Sequence, residues 1–573
     1  MKKAAGVSIF LLGFILFNGV YFMERYELTT SIIEDHIPEP QRSLFKQVSF
    51  NMAMEYDNTI VFSRALDEVF VQANNLRKEK YSFDEYELDQ FMSQLKGSTL
   101  TEENVEKVFQ NEDPEKERLF RDYGGWLISR EFSSRDELHK ALSDVFVKIN
   151  SYGIEQSLGF NKYLIKDIKY NLIRHSSSGW VSQYPVLILS ICLLCMVVGA
   201  LLYQFSKYGN KMPGIKNDGI FKSTHTSRGW LGILTGTWLI AFYLVLYFYQ
   251  HHITPWVILT DPISFWLKGS SGGPFFLYGF LYTLAILVMG YRMILKYRHS
   301  RYQIFRTVSV MFFQLAFAFL IPEILVRFNQ PYYDFKNMWP LDYDFFFNTE
   351  LDKLVSSGGL GIFMIVWGII LFTIAVPILV YFFGKRWYCS WVCGCGGLAE
   401  TLGDPYRHLS DKSIKAWKVE RWMIHGVLVF SVVMTVGVLY TYFTGASNIG
   451  YINTYQLREI YGAWIGAGFA GVVGTGFYPL MGNRVWCRFG CPLAAYMGIV
   501  QRFKSRFRIT TNGGQCISCG NCSTYCEMGI DVRWYAQRQQ DIVRASCVGC
   551  GVCSEVCPRG VLKLESTKVG RRV

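Results

Sequence analysis

Residues 24–183 contain no cysteine, few glycines or prolines, and no metal-ligand cluster, catalytic triad or phosphate-binding loop. Nothing in that stretch carries chemistry of its own, so docking a partner or sensing is its default reading. The whole chain also lacks a low-complexity tract, a nucleophile constellation and a proton-transfer dyad, and outside its last sixty residues it shows no internal repeat. Its net charge is +12, yet the basic residues share no common face. Nucleic acid is therefore excluded as a partner. At the N-terminus, the Asn18–Met23 stretch that follows an apolar run lacks a small-x-small cleavage site.

What is present is apolar length. Half of the 573 residues are hydrophobic, and runs long enough to cross a bilayer occur near 4–23, 184–205, 229–249, 273–295, 307–327, 358–383, 422–443 and 460–481. Eight spans are expected. Loop 206–228 carries Lys207, Lys211, Lys216, Lys222 and Arg228, whereas 250–272 has only Lys268. Lys296, Arg298 and Arg301 mark the next basic loop. Lys385, Arg386, Arg407, Lys412, Lys415 and Lys418 mark the one after, and Arg484 and Arg488 begin the last. Such loops stay in the cytoplasm, so Lys2, Lys3 and the C-terminal segment are expected inside a cell inner (cytoplasmic) membrane. Residues 24–183 fall outside, with 20 basic and 28 acidic side chains, near −8 against +20 for the remainder. A translocated segment of that length escapes the positive-inside rule, so its acidity is permitted. Its periodicity predicts helices: Leu138, Leu142, Val145 and Ile149 follow a capping box at Ser134 and Glu137, and Leu88, Phe91 and Leu95 follow one at Ser82 and Glu85.

Cysteine, where it occurs, is concentrated. Cys516, Cys519, Cys522 and Cys526, then Cys547, Cys550, Cys553 and Cys557, form two copies of C-x2-C-x2-C-x3-C, the ligand pattern of a bacterial ferredoxin with two 4Fe-4S clusters. In that pattern the fourth cysteine of each loop serves the other cluster. Cys516, Cys519, Cys522 and Cys557 are thus expected on one cluster, and Cys547, Cys550, Cys553 and Cys526 on the other. Gly520 and Gly551 let the backbone wrap closely after the second cysteine of each set. A zinc ribbon would use two CxxC pairs and leave the other four thiols idle, and disulfides do not suit such runs in a cytosolic segment.

A second cysteine system sits at two span ends: GKRWYCSWVCGCGG holds Cys389, Cys393 and Cys395, and NRVWCRFGCPLAA holds Cys487 and Cys491. Each C-x3-C pair would lie on one helical face if its span continued through it. Thiols so placed could share a soft-ligand copper, zinc or iron–sulfur site, helped by Arg386, Arg484 and Arg488; the plain alternative is inert interfacial cysteines. Several spans, two C-x3-C motifs and a C-terminal two-cluster segment together resemble the membrane polyferredoxins of the NosR, NapH and CcoG type. The linking stretch GIDVRWYAQRQQDIVRASCVGC is similar to that group as well. The resemblance covers roughly residues 360–566. It implies electron transfer with periplasmic reductase systems or service to oxidase copper assembly. Gly394 stands where the family usually has proline, Cys395 is additional, and Glu527 replaces the proline after Cys526. No flavin-attachment motif occurs in 24–183.

The expected fold is mainly α: a polytopic helical membrane protein with an anchor (1–23), an external helical domain (24–183), a transmembrane core (184–505), an α+β two-cluster ferredoxin-like domain (506–566) and a basic tail (567–573). The expected function is an iron–sulfur electron relay between a quinol or cytoplasmic donor and a membrane or periplasmic acceptor, as an oxidoreductase subunit. Copper reduction for respiratory enzyme assembly and redox-sensing regulation are the alternatives. Weaker candidates each have a plain reading. Cys192 and Cys195 would pack in a span, and His425 would be a hydrogen-bonded structural residue rather than a quinol or haem ligand. Glu323 would pair with Arg327 one turn on, and adjacent His251 and His252 would diverge on a surface loop.

Overall fold

The computed structural model describes residues 2–566 apart from 40, 51, 53–54, 95–97, 111, 215–227 and 447. Leu95, Lys216, Lys222 and the expected tail 567–573 therefore lie outside the described residues. Two units emerge. One comprises Asn18–Pro185 with Gln250–Ile258, the other Met1–Phe17, Val186–Tyr249 and Leu259–Val573.

The first unit is helical because its apolar residues recur at helical spacing and its helix starts are capped. Asn58 accepts from the amides of Ile60 and Val61 at 3.1 and 3.0 Å and opens the helix Thr59–Tyr81. Ser134 caps Arg135–Lys148, which buries Leu138, Leu142 and Val145. The other expected capping box lies two residues further on: Asp84 accepts from the Glu87 amide at 2.9 Å while Glu87 accepts from the Asp84 amide at 3.1 Å. Ser82 and Glu85 do not form it, because Ser82 is still the C-cap of the preceding helix. Phe83, Phe91, Phe109, Phe120 and Phe146 fill the core.

Seven helices among the described residues are long and apolar enough to cross a membrane, six beginning at Pro185, Trp230, Pro274, Arg301, Gly359 and Ile414 and one at Lys2. The eighth expected span is helical from Thr454 to Gly476, but its many glycines leave it less apolar than the other seven. Gly6 and Gly13 let the first helix approach Gly199 and Cys195 of the second, where an added Cβ would clash with backbone. Cys192 is buried and Cys195 packs there.

Glycine also ends the spans that carry the second cysteine system. Gly384 follows the helix Val376–Phe383 at φ +67, and Gly482 follows Tyr478–Met481 at φ +92. Beyond the helix Pro492–Lys504 the chain forms strand Phe507–Thr511, which pairs antiparallel with Leu562–Ser566 in the register Ile509 to Leu564. All eight ferredoxin-pattern cysteines lie between these strands. Substituting Gly384 by alanine forces a strained backbone and places a Cβ 2.6 Å from both Gln501 Oε1 and Phe507 Cδ1. We expect Gly384→Ala to lower stability by about 1–3 kcal/mol, read as a lower midpoint of thermal unfolding of the detergent-solubilised protein; an unchanged midpoint would contradict the assignment.

Candidate iron–sulfur centre

The C-terminal segment gathers its thiols around two small hollows. Cys516, Cys519, Cys522 and Cys557 line one; Cys526, Cys547, Cys550 and Cys553 line the other. Each hollow thus takes three cysteines from its own loop and one from the opposite loop. Gly520 at φ +77 and Gly551 at φ +75 make equivalent turns into the short helices Asn521–Thr524 and Val552–Glu555, which places the third cysteine of each loop against its hollow. The amide of Ile530 donates to Cys526 Sγ at 3.4 Å, the kind of bond that stabilises charge on a cluster's sulfur ligand. Among the described residues, no three of His, Cys, Asp and Glu converge to hold a single metal ion. Thiols spread round a hollow suit a polynuclear iron–sulfur core, whose iron atoms each take one of them.

Cys389, Cys393, Cys487 and Cys491 are all buried in one continuous core, and that core also contains Cys522, Cys547 and Cys553. The expectation that each C-x3-C pair shares a face of a continuing span is corrected here. Cys389 ends the single turn Arg386–Cys389, Cys393 precedes the helix Gly394–Thr401, and Cys491 precedes Pro492–Lys504. Positive-φ Gly384 and Gly482 stop the spans, and Pro492 starts a new helix, so tight turns present the thiols. Burial pushes Cys389 up to about 12 and raises Cys487 and Cys491 too. The Cys395 thiol donates to Cys393 and holds it down at about 6. Cys395 itself is raised by that same bond. Arg484 Nη1 lies 3.5 Å from Cys487 Sγ, ready to offset thiolate charge.

Between the two cysteine systems runs a chain of buried charges. Glu527, fully buried, accepts from Arg407 Nη1 at 2.7 Å and Asn483 Nδ2 at 3.2 Å, and its other oxygen lies 3.2 Å from Arg484 Nε. Arg484 also donates to Glu400, which Arg306 approaches at 2.8 Å. On the other side Arg407 reaches Asp404, which takes Lys296 Nζ at 2.6 Å. Arg407 Nη1 is 3.8 Å from Cys550 Sγ. The chain therefore touches a ferredoxin-pattern cysteine at one end and a C-x3-C cysteine at the other. Burial alone would raise Glu527; Arg407, Arg484 and Arg306 with the Asn483 amide hold it down at about 2. Five cations, Arg292, Lys296, Arg306, Arg407 and Arg484, stand against three carboxylates. That surplus fits anionic clusters, since four thiolates outweigh the charge of the iron–sulfur core they bind.

Neutral contacts complete the seat. Gln303 Nε2 and Tyr302 Oη donate to the carbonyls of Cys550 and Gly549 at 2.9 and 2.7 Å, Ser390 Oγ donates to Val548 O at 2.9 Å, and Gln501 Nε2 donates to Cys547 O at 2.8 Å. Sequence reading counted Arg407 only as a loop charge and missed Glu400, Asp404, Arg306 and Gln303. Three charges, Glu400, Asp404 and Arg407, within eight residues that closely follow the first C-x3-C motif were the available signal.

The weaker candidates separate. Glu323 lies 3.8 Å from Lys268, and Arg327 instead donates to Trp266 O at 2.6 Å, so the expected intrahelical pair does not form: the turn before Pro274 brings a closer cation. The rings of His251 and His252 do not diverge but pack with centroids 4.1 Å apart, half-buried in the 3-10 turn Gln250–Ile253. His425 Nδ1 bonds to Arg421 O at 2.7 Å. A cavity of about 700 Å³ reaches from Lys268, Pro274 and Glu323 to Cys393 and Cys395. It lies toward the Pro274 end of the helix Pro274–Lys296, whose Lys296 end joins the charge chain.

Comparison with known families matches a 4Fe-4S binding domain to residues 364–413 and 462–510, and a 4Fe-4S dicluster domain to 508–558. The first match holds all five cysteines of the second system, the second all eight of the ferredoxin pattern. The chain is 27% identical over 157 residues to YccM of Escherichia coli (strain K12), named as a candidate electron transport protein; the match spans 26% of this chain and 43% of YccM. It is 26% identical over 163 residues to the methylamine utilization ferredoxin-type protein MauN of Methylobacillus flagellatus (27% of this chain, 52% of MauN) and 28% over 151 residues to MauN of Paracoccus denitrificans (25% and 48%). The chain spans about half the length of the curated relatives it matches. No solved structure matches it. These similarities, with the helices above, fit a membrane polyferredoxin.

Removing the Glu527 carboxylate leaves Arg407 and Arg484 buried with their shared partner gone. We expect Glu527→Ala to cost about 3–5 kcal/mol, whereas Glu103→Ala, which breaks an exposed pair with Lys107, costs less than about 0.5 kcal/mol. Thermal unfolding of the two variants side by side checks this; equal effects would refute a structural role for the buried chain.

Proposed function

We propose that the chain is a membrane-bound iron–sulfur electron-transfer protein in which Cys516, Cys519, Cys522 and Cys557 hold one 4Fe-4S cluster and Cys547, Cys550, Cys553 and Cys526 hold a second. The observation that carries this reading is the seating of the second hollow directly on the C-x3-C turns through the Glu527 charge chain. Cys389, Cys393, Cys487 and Cys491 form a further soft-ligand centre there, and the 4Fe-4S description matched to their segments favours iron–sulfur over copper. The clusters carry the electrons; the protein supplies thiols, amide donors and buried cations that set their potentials.

The geometry supports a linear order. Cys519 is exposed, so the first hollow lies where a soluble partner can reach it. The second hollow follows, then the C-x3-C centre, whose Cys393 and Cys395 border the large cavity. A quinol or a protein partner meets the path at that cavity. We place the ferredoxin-like segment on the cytoplasmic side of the inner membrane, on the strength of the basic loops alone.

Metal and acid-labile sulfide analysis should give about eight iron and eight sulfide from the two ferredoxin-pattern clusters, with any excess iron or copper reporting the C-x3-C centre. Cys526→Ser should abolish the cluster of the Cys547 loop and spare that of its own loop, as read by electron paramagnetic resonance. Loss of the Cys516-loop signal instead would overturn the ligand exchange. Clusters that cannot be cycled reversibly in membranes with any quinol analogue or soluble mediator would sink the relay.

A further inference from the structure

We infer that a cavity of about 430 Å³ beside the ferredoxin-like segment holds the phosphodiester headgroup of an anionic phospholipid. The inference rests on reading Ile414–Thr444 as a membrane span but not on the clusters' redox role. Three elements wall the cavity: the first turns of that helix, the helix Pro492–Lys504, and the stretch around Tyr535 and Arg544.

Its charge is one-sided. Arg421 and Arg544, from different elements, flank the same indole, with guanidinium carbons 5.4 and 4.5 Å from the Trp417 centroid. Arg502 joins them from the third element. Among the described residues none of these three arginines lies within ion-pair distance of a carboxylate. The one acid on the wall, Glu420, is taken by Arg488 at 2.8 Å. Arg488, 3% exposed, also donates from Nη1 to the Asp411 carbonyl at 2.7 Å, so it serves the protein and leaves the cavity to the other three. Arg421 and Arg502 are exposed, and the oxygens of a phosphate are the acceptors that a guanidinium fork matches.

Lys385 adds a further cation to the wall and His425 a polar edge, Ile424, Ile499 and Phe503 supply apolar surface, and Trp422 on the same helix is 83% exposed. Exposed tryptophan at a span end is typical of the headgroup level of a membrane. A headgroup seated among the arginines would leave its acyl chains to run along the outward side of the helix. Basic pockets at the cytoplasmic ends of spans bind anionic headgroups in this manner. Because the cavity's arginines come from both the helices and the ferredoxin-like segment, the lipid would tie that segment to the membrane edge.

The full chain, purified in mild detergent, should retain phosphatidylglycerol or cardiolipin in native mass spectrometry, in preference to phosphatidylcholine supplied at equal concentration. Arg421→Gln and Arg502→Gln should each lower that retention roughly fivefold, the factor equivalent to about 1 kcal/mol per charge, and Arg421→Lys should restore it. Iron and sulfide content, measured on the same samples, shows that the variants are folded; should Arg421→Gln lose iron, the exposed Arg502→Gln decides. Equal retention of phosphatidylcholine, or unchanged retention in the variants, overturns the proposal. So does an increase in thermal stability with inorganic phosphate equal to that with anionic lipid, since it would mark a free-anion site.

Discussion

Glu527 is a carboxylate with no exposure, and the relation between the two cysteine systems depends on its being matched. A lone buried carboxylate would be strongly disfavoured. Here Arg407 and Arg484 arrive from two different loops of the helical bundle, each already committed to a second acid, Asp404 or Glu400. The carboxylate's position next to Cys526 means that satisfying it also fixes one wall of a cluster hollow. Charge pairing in this place acts as registration more than as adhesion. An apolar contact could slide by a fraction of a side chain, whereas a doubly held carboxylate cannot.

Around that registration the neutral contacts make sense. Gln303, Tyr302, Ser390 and Gln501 all donate to backbone carbonyls of residues 547–550, so the loop bearing three thiols is held by its main chain and its side chains remain available for ligation. The bundle contributes turns where helices might have continued. Gly384 and Gly482 stop two spans just short of the cysteines, and the resulting turns bring four thiols of two distant segments into one core.

The cysteine spacings announced which thiols share a hollow, including the one that comes from the opposite loop, because an iron–sulfur core constrains ligand spacing along the chain. The apolar runs likewise announced the spans, since crossing a bilayer imposes a minimum length. What remained hidden was set by tertiary proximity. Asp84 rather than Ser82 caps its helix because the preceding helix runs one residue too far for Ser82 to be free. Glu323 prefers Lys268, fifty-five positions away, over Arg327 in its own turn. Arg407 reads as one more basic loop residue until Glu527 is placed beside it, and nothing local to either residue reports the other.

The antiparallel pairing of Phe507–Thr511 with Leu562–Ser566 has a consequence for how the molecule is made. The first strand leaves the ribosome directly after the last bundle helix, but its partner follows only when every thiol of the segment has been synthesised. Because each hollow borrows a cysteine from the opposite loop, neither can be completed from the first loop alone. A cluster in either hollow, as proposed above, would have to wait until synthesis has passed Cys553 for one and Cys557 for the other, when every residue of the bundle that receives the segment has already been made.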